Sequence, residues 1–167
     1  MRKRALFAAL IAILTAVPTV GLPMGSRPDD GRTYYFDGSQ FREEGTAGQP
    51  AIATRTGYYP KLLAGGESKT AIPLPAGTGA LAGICYLQQS GGKLRSATGS
   101  IPLAGITVTV RGGGIEKESH CDDRGFFVLA LPPGRYDVRS GSDTRSVTVE
   151  SDKTTLTPLR GGKRMVD

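Results

Sequence analysis

Beyond Pro73-Leu74-Pro75-Ala76-Gly77 the chain becomes a series of short alternating runs divided by turn residues, and no other feature limits its fold so strongly. Runs spaced at intervals of roughly 8–12 residues are the pattern of a β-sandwich or barrel. Strands are expected near 80–88, 104–111, 115–121, 125–131, 135–140, 144–150 and 153–159. In the second, Ile106, Val108 and Val110 alternate with Thr107 and Thr109, so one face meets a core and the other meets water. In the fourth, Phe127, Leu129 and Leu131 point one way while Phe126, Val128 and Ala130 point the other. A strand apolar on both faces should lie centrally, or beneath the N-terminal segment. Composition agrees: tryptophan is absent, and 24 Gly with 11 Pro argue against a large helical core.

Residues 1–21 read as an export signal. Arg2, Lys3 and Arg4 precede an apolar run from Ala5 to Val17 whose only polar residue is Thr15, followed by small and turn-forming residues through Gly21. The run is shorter than the roughly 20 residues that cross a bilayer and fits a signal h-region. No transmembrane span is expected in the mature chain, which is placed outside the cytoplasm in a periplasmic, cell-surface or extracellular location. The signal also accounts for half of the formal charge of +6, leaving 18 basic against 15 acidic residues. That balance is ordinary, no basic stripe with interleaved aromatics remains, and a nucleic-acid partner is not expected.

The segment 22–78 is rich in Gly and Pro and shows no sustained period, so it is expected to be a largely irregular extension. It nevertheless holds six of the eleven aromatic residues, whereas a purely solvating linker has few. Thr33–Phe36, Asp37-Gly38 and Ser39–Phe41 read as a short hairpin, because Asp-Gly suits positive φ. Tyr34, Tyr35, Phe36, Tyr58 and Tyr59 are expected to contact a partner, tyrosine being suited to interfaces. The competing reading is that they cover the protein's own sandwich, with Tyr34 and Phe36 on one face of a hairpin strand. The organisation expected is thus a signal peptide over 1–21, the extension over 22–78, a β-sandwich over 79–160 and a basic C-terminal tail over 161–167. Residues 79–160 are expected to fold without the extension.

Three pieces in order carry a family resemblance: Pro102 to Val110 (PLAGITVTV), Cys121 to Phe127 (CDDRGFF) and Leu131 to Tyr136 (LPPGRY). Residues 79–160 resemble the carboxypeptidase regulatory-like domain. This resemblance implies an all-β fold, a seven-stranded Greek-key sandwich of the transthyretin-like (prealbumin-like) type. Each piece also has a physical reading of its own. Gly105 lets the chain enter a strand with unusual φ, Asp122 to Gly125 can close a hairpin with an Asx-type turn, and Pro132-Pro133-Gly134 reverses the chain. Tyr136 is expected to bury its ring and bond its hydroxyl to nearby backbone, as in a tyrosine corner. Cys121 departs from the threonine usual in the family, and Arg124 from a frequent acid. The resemblance transfers a scaffold and no catalysis, since the parent carboxypeptidases hold their zinc in a separate domain. Hydroxyisourate hydrolase shares the transthyretin-like fold but relies on several histidines, and this chain has one.

Little chemistry survives inspection of the remaining residues. His120 and Cys121 are consecutive on a strand, point to opposite faces and do not make a nucleophile–base pair. One histidine and two distant cysteines match no zinc spacing, and Asp122-Asp123 lacks the order of a calcium loop. No catalytic residue, metal or cofactor is expected. A disulfide between Cys85 and Cys121 is expected, because an exported chain meets an oxidising compartment and these are its only cysteines. The function expected is that of an exported, non-enzymatic β-sandwich module acting as a binding or structural accessory, its partner an envelope or extracellular protein or a polysaccharide. The alternatives are a subunit that joins a cell-surface or extracellular assembly by strand addition, a polysaccharide- or peptidoglycan-binding module that uses its Tyr pairs for stacking, and last an enzyme using Asp37, Glu43 or Glu44.

Overall fold

The computed structural model describes residues 31–55, 57–65, 73–91 and 98–166. The expected export signal at 1–21 lies outside them. Among the described residues there are twelve strands and no helix. In chain order they are β1 (Arg32–Phe36), β2 (Phe41–Arg42), β3 (Ala51–Thr54), β4 (Lys61–Leu63), β5 (Gly79–Gly91) and β6 (Thr98–Pro102). Then follow β7 (Thr107–Gly112), β8 (Ile115–His120), β9 (Phe126–Leu131), β10 (Gly134–Ser140), β11 (Asp143–Val149) and β12 (Thr154–Val166). They form three sheets: β2-β1-β3-β4; β11-β10-β7-β8; and β12-β5-β6, with β9 paired to the first half of β5.

The β5/β9 sheet is the middle of three layers, because its strands carry apolar side chains on both faces. Leu81 and Cys85 from β5, with Phe127, Leu129 and Leu131 from β9, meet Val108, Val110, Tyr136 and Val138 of the β7/β10 sheet. On the opposite face Ala80, Ala82, Ile84 and Phe126 meet Tyr34, Phe36, Phe41 and Ile52 of the N-terminal sheet. The rings in this second core are in contact, Phe41 stacking on Phe126 with centroids 4.5 Å apart and Tyr34 tilted against it at 4.9 Å. Burial of several such aromatics supplies most of the attraction between the two layers. The double-sided reading of Phe126–Leu131 therefore matches its position.

The turns follow their residue chemistry. Asp122 Oδ1 accepts the amides of Arg124 and Phe126 at 2.9 and 2.8 Å, and Gly125 takes φ 82° to complete the bend. The bend does not close a hairpin within one sheet; it carries the chain from β8 across to β9 in the middle layer. Tyr136 is buried and donates its hydroxyl to the Pro132 carbonyl at 2.8 Å, the corner expected of it. In the N-terminal sheet the loop from Asp37 to Gln40 joins β1 to β2, with Phe36 opposite Phe41. Asp37 Oδ1 accepts the Ser39 and Gln40 amides at 2.9 Å, so the connection is a four-residue Asx-capped loop and not a two-residue turn.

Three expectations need correction. The extension is not largely irregular, since residues 32–63 build a four-stranded antiparallel sheet. Its strands are too short for a periodic signal, yet Tyr34, Phe36 and Ile52 share the inward face. Residues 161–166 are not a tail. They continue β12 past a bulge between Arg160 and Gly162 and pair in parallel with residues 87–91 of β5. Among the described residues from Gly79 onward there are eight strands instead of seven, because β6 is added opposite the far half of β5.

Candidate ligand-binding groove

Where β3 ends, the chain turns through Arg55 to Pro60 before entering β4. The Tyr58 amide donates to the Arg55 carbonyl at 3.0 Å, and Gly57 takes φ 80°. The turn is pinned to β6 from outside: Ser100 Oγ donates to the Tyr58 carbonyl at 2.8 Å. Glycine is required at the contact, since a Cβ on Gly99 would lie 2.0 Å from the Gly57 carbonyl oxygen. The Gly57–Tyr58 part of the loop is thereby fixed at the junction of the N-terminal sheet and the middle layer, although the side chains of Arg55, Tyr58 and Tyr59 face solvent.

Tyr58 and Tyr59 are 58% and 49% exposed, the two large apolar side chains most open to solvent among the described residues. The Arg55 guanidinium lies over the Tyr58 ring, 4.8 Å from its centroid. Tyr59 meets the buried ring of Tyr86 edge-on, at 5.9 Å and 80°. Burial raises the Tyr86 hydroxyl above its ordinary value, so it stays protonated at neutral pH.

Beside this loop runs a groove of about 290 Å³. Its lining includes buried Tyr34 and Ile84, the side chains of Arg55, Tyr58 and Ser100, and Arg32 from β1. Among the described residues no aspartate, glutamate, histidine or cysteine lines it. The Arg32 value is raised above the ordinary guanidinium range, first by a hydrogen bond with Tyr34 and then by Glu43, whose carboxylate is 3.2 Å away. Aromatic faces, guanidinium forks and a hydroxyl oxygen suit the recognition of polar or ring-shaped ligands.

The five aromatic residues expected to act together are divided by the structure. Tyr34 is 7% and Phe36 0% exposed, both in the core against Phe126, so neither offers its face to a partner. Tyr35 is half-buried with Gly45 directly against it, where a Cβ would lie 2.2 Å from the Tyr35 Cγ. Only Tyr58 and Tyr59 face solvent. The competing reading thus holds for the first group, and its physical reason is the two-residue period of β1. What the sequence alone did not single out is Arg55, Arg32 and Ser100; only Arg55 carried a signal, in standing three residues before Tyr58.

The expected Cys85–Cys121 disulfide is also corrected. Both cysteines are buried and free, and they are not placed at bonding distance. They lie inside the sandwich as neighbours, with Ser140 Oγ 3.8 Å from Cys85 Sγ. The contact lowers the Cys85 value, while Cys121 is pushed well above the thiol range by Cys85 and by burial. His120 stands apart from this pair, exposed and sharing a 3.2 Å hydrogen bond with Thr107 Oγ1.

Two other depressions are less suited to a ligand. One on the outer face of the β7/β10 sheet is lined by threonines, Arg111, Arg139 and Asp137, the last already bonded by Ser146. The other is broad and polar, bordered by Arg42, Glu43, Glu44 and Arg124, with Arg124 Nη1 3.9 Å from Glu43 and its guanidinium 5.5 Å above the Tyr34 ring. Arg124 therefore ties the Asp122 turn to the N-terminal sheet.

No protein-family model and no curated protein matches the chain. Among solved structures it is similar to a candidate carbohydrate-binding protein of Pseudomonas aeruginosa, at 15% identity and a TM-score of 0.35, over 51% of this chain and 89% of that one. It is similar to a DUF3823 family protein of Parabacteroides merdae at 21% identity and a TM-score of 0.36, over 52% of this chain and 46% of the other. The minor pilin GBS52 of Streptococcus agalactiae is similar over 72% of this chain and 63% of its own, at 14% identity and a TM-score of 0.37.

Proposed function

We propose that this chain is an exported, non-enzymatic β-sandwich module that binds polysaccharide outside the cytoplasm, with the Arg55–Pro60 loop as its contact surface. The observation that carries this reading is the pair of adjacent exposed tyrosines held on a pinned loop at the mouth of a groove. Tyrosine rings present flat apolar faces to the C–H faces of sugars while their hydroxyls remain in water. Export is supported by the order of basic and apolar residues over 1–21. Among the described residues no helix is long and apolar enough to cross a membrane.

Titration of the purified protein with soluble polysaccharide fragments, followed by calorimetry and tyrosine fluorescence, tests the proposal. Replacing Tyr58 and Tyr59 with serine should abolish binding and leave Tm nearly unchanged. Binding that survives the double replacement would place the contact surface elsewhere.

A second reading, assembly by strand addition, draws on β12, thirteen residues long and at the edge of its sheet. Its outer edge is partly occupied, since the Arg160 amide donates to Asp143 Oδ2 at 2.9 Å. Concentration-dependent mass in light scattering would favour this reading.

A further inference from the structure

We infer that the groove beside Tyr58 selects glycans whose sugars carry acetamido groups over those that carry only hydroxyls; this rests on the glycan-binding reading above. Ser100 lines the groove although it is buried, at 4% exposure. Its one proton goes to the Tyr58 carbonyl at 2.8 Å, so toward the groove its oxygen acts only as an acceptor. The lining also holds Ile84, Pro60 and Pro102, with the rings of Tyr34 and Tyr58. An acetamido group brings an N–H for the acceptor and a methyl for this apolar lining on one substituent. A hydroxyl in its place brings the donor alone and leaves the apolar lining facing water. Thr54 adds a hydroxyl to the lining, a donor for the acetamido oxygen. The guanidiniums stay out of the selection, since Glu43 holds Arg32 at 3.2 Å and Arg55 is engaged over Tyr58.

The acceptor and the aromatic face belong to one short piece of structure, because Ser100 is bonded to the main chain of Tyr58 itself. A sugar ring can therefore pack on Tyr58 while its own acetamido group turns toward Ser100. An alanine peptide carries the same N–H, carbonyl and methyl. The glycan is favoured because Tyr58 and Tyr59 offer ring faces and the main-chain edge of the loop is closed. The Tyr58 carbonyl is taken by Ser100, and Gly99 packs against the Gly57 carbonyl. A peptide bound in extended form needs free backbone groups.

The experiment compares N-acetylchitotetraose with cellotetraose by calorimetry on the full protein, two probes of the same linkage that differ only in an acetamido group against a hydroxyl. The acetamido probe should bind about tenfold more tightly, from one buried methyl and one neutral hydrogen bond. The ratio should not change as salt rises from about 20 to about 300 mM, since no ion pair is formed. The N-formyl analogue, which keeps the N–H and lacks the methyl, should fall between the two. Ser100→Ala should bring the ratio down to about fourfold, the share of the methyl. Loosening of the loop alone would weaken both probes alike and leave the ratio as it was.

Equal binding of the two probes, lost with Tyr58→Ser and Tyr59→Ser, would overturn the acetamido selectivity and leave the glycan-binding reading in place. Binding of N-acetylchitotetraose that is indifferent to the tyrosines would overturn that reading as well. A ratio unchanged in Ser100→Ala would overturn the role of Ser100 as the acceptor. Binding of trialanine at equal affinity would assign the groove to peptides and overturn the glycan assignment. Binding of neither sugar probe would overturn the inference.

Discussion

Tyr34 and Tyr58 are the same residue type in similar local sequences, Arg-Thr-Tyr-Tyr and Arg-Thr-Gly-Tyr-Tyr, yet one is in a core and the other in solvent. The strand makes the difference. β3 ends at Thr54 and Gly57 takes positive φ in the turn that follows, whereas Thr33 lies within β1, whose alternation sends Tyr34 and Phe36 to one face. Phe36→Ala should cost about 3–5 kcal/mol, since the ring is fully buried among Phe41 and Ile52. Tyr58→Ser should change stability by no more than about 0.5 kcal/mol, as for most exposed sites. Urea unfolding of the two variants measures both. Asp37 gives a pH dependence. Partial burial pushes its carboxyl up, but the Ser39 and Gln40 amides, the Ser39 hydroxyl and Arg42 outweigh that and hold it at about 2. The folded value lies below the unfolded one of about 3.9, so its stabilisation is present above about pH 4 and lost as pH falls through about 2. Melting curves in that window should show a smaller acid-induced fall in Tm for Asp37→Asn than for the parent.

Strands were legible wherever a run was long enough to repeat its period. Residues 107–112, 115–120, 126–131, 134–140 and 143–149 lie within a residue or three of their expected bounds. β3, β4 and β6 were not legible: Ala51–Thr54 and Lys61–Leu63 are too short to show alternation, and Thr98–Pro102 contains Gly, Ser and Pro. Each is a strand because a neighbour supplies the ladder, β6 lying against residues 86–90 of β5. Such information is tertiary and has no local signature. The groove inherits this limit, since its cationic lining joins β1 to the loop after β3 and its hydroxyl comes from β6. Turn chemistry was better marked. Asp122→Ala would strip the Arg124 and Phe126 amides of their acceptor at the crossing between sheets, and should cost about 1–3 kcal/mol. Asp122→Asn keeps an acceptor oxygen and should recover most of the Tm lost by the alanine variant.

For the molecule as a whole, the three-layer arrangement makes the N-terminal sheet a cover for one face of β5 and β9. A chain beginning at Gly79 would uncover Ile84, Phe126 and partly buried Val128, each worth about 1.5–3 kcal/mol when fully buried. Such a chain should melt at a lower temperature than the parent and bind a hydrophobic dye, in contrast to the independent folding expected from sequence. Equal Tm values would show that the second core contributes little. The long pairing of β5 with β12 has a mechanical consequence. The strands run parallel from Thr154 opposite Ala80 to Val166 opposite Gly91. A pull between Gly79 and Val166 would therefore act at opposite ends of the ladder and load its hydrogen bonds in shear, all together, instead of unzipping them one by one. Loaded between those two residues, the protein would meet traction with the hydrogen bonds of the ladder sharing the force.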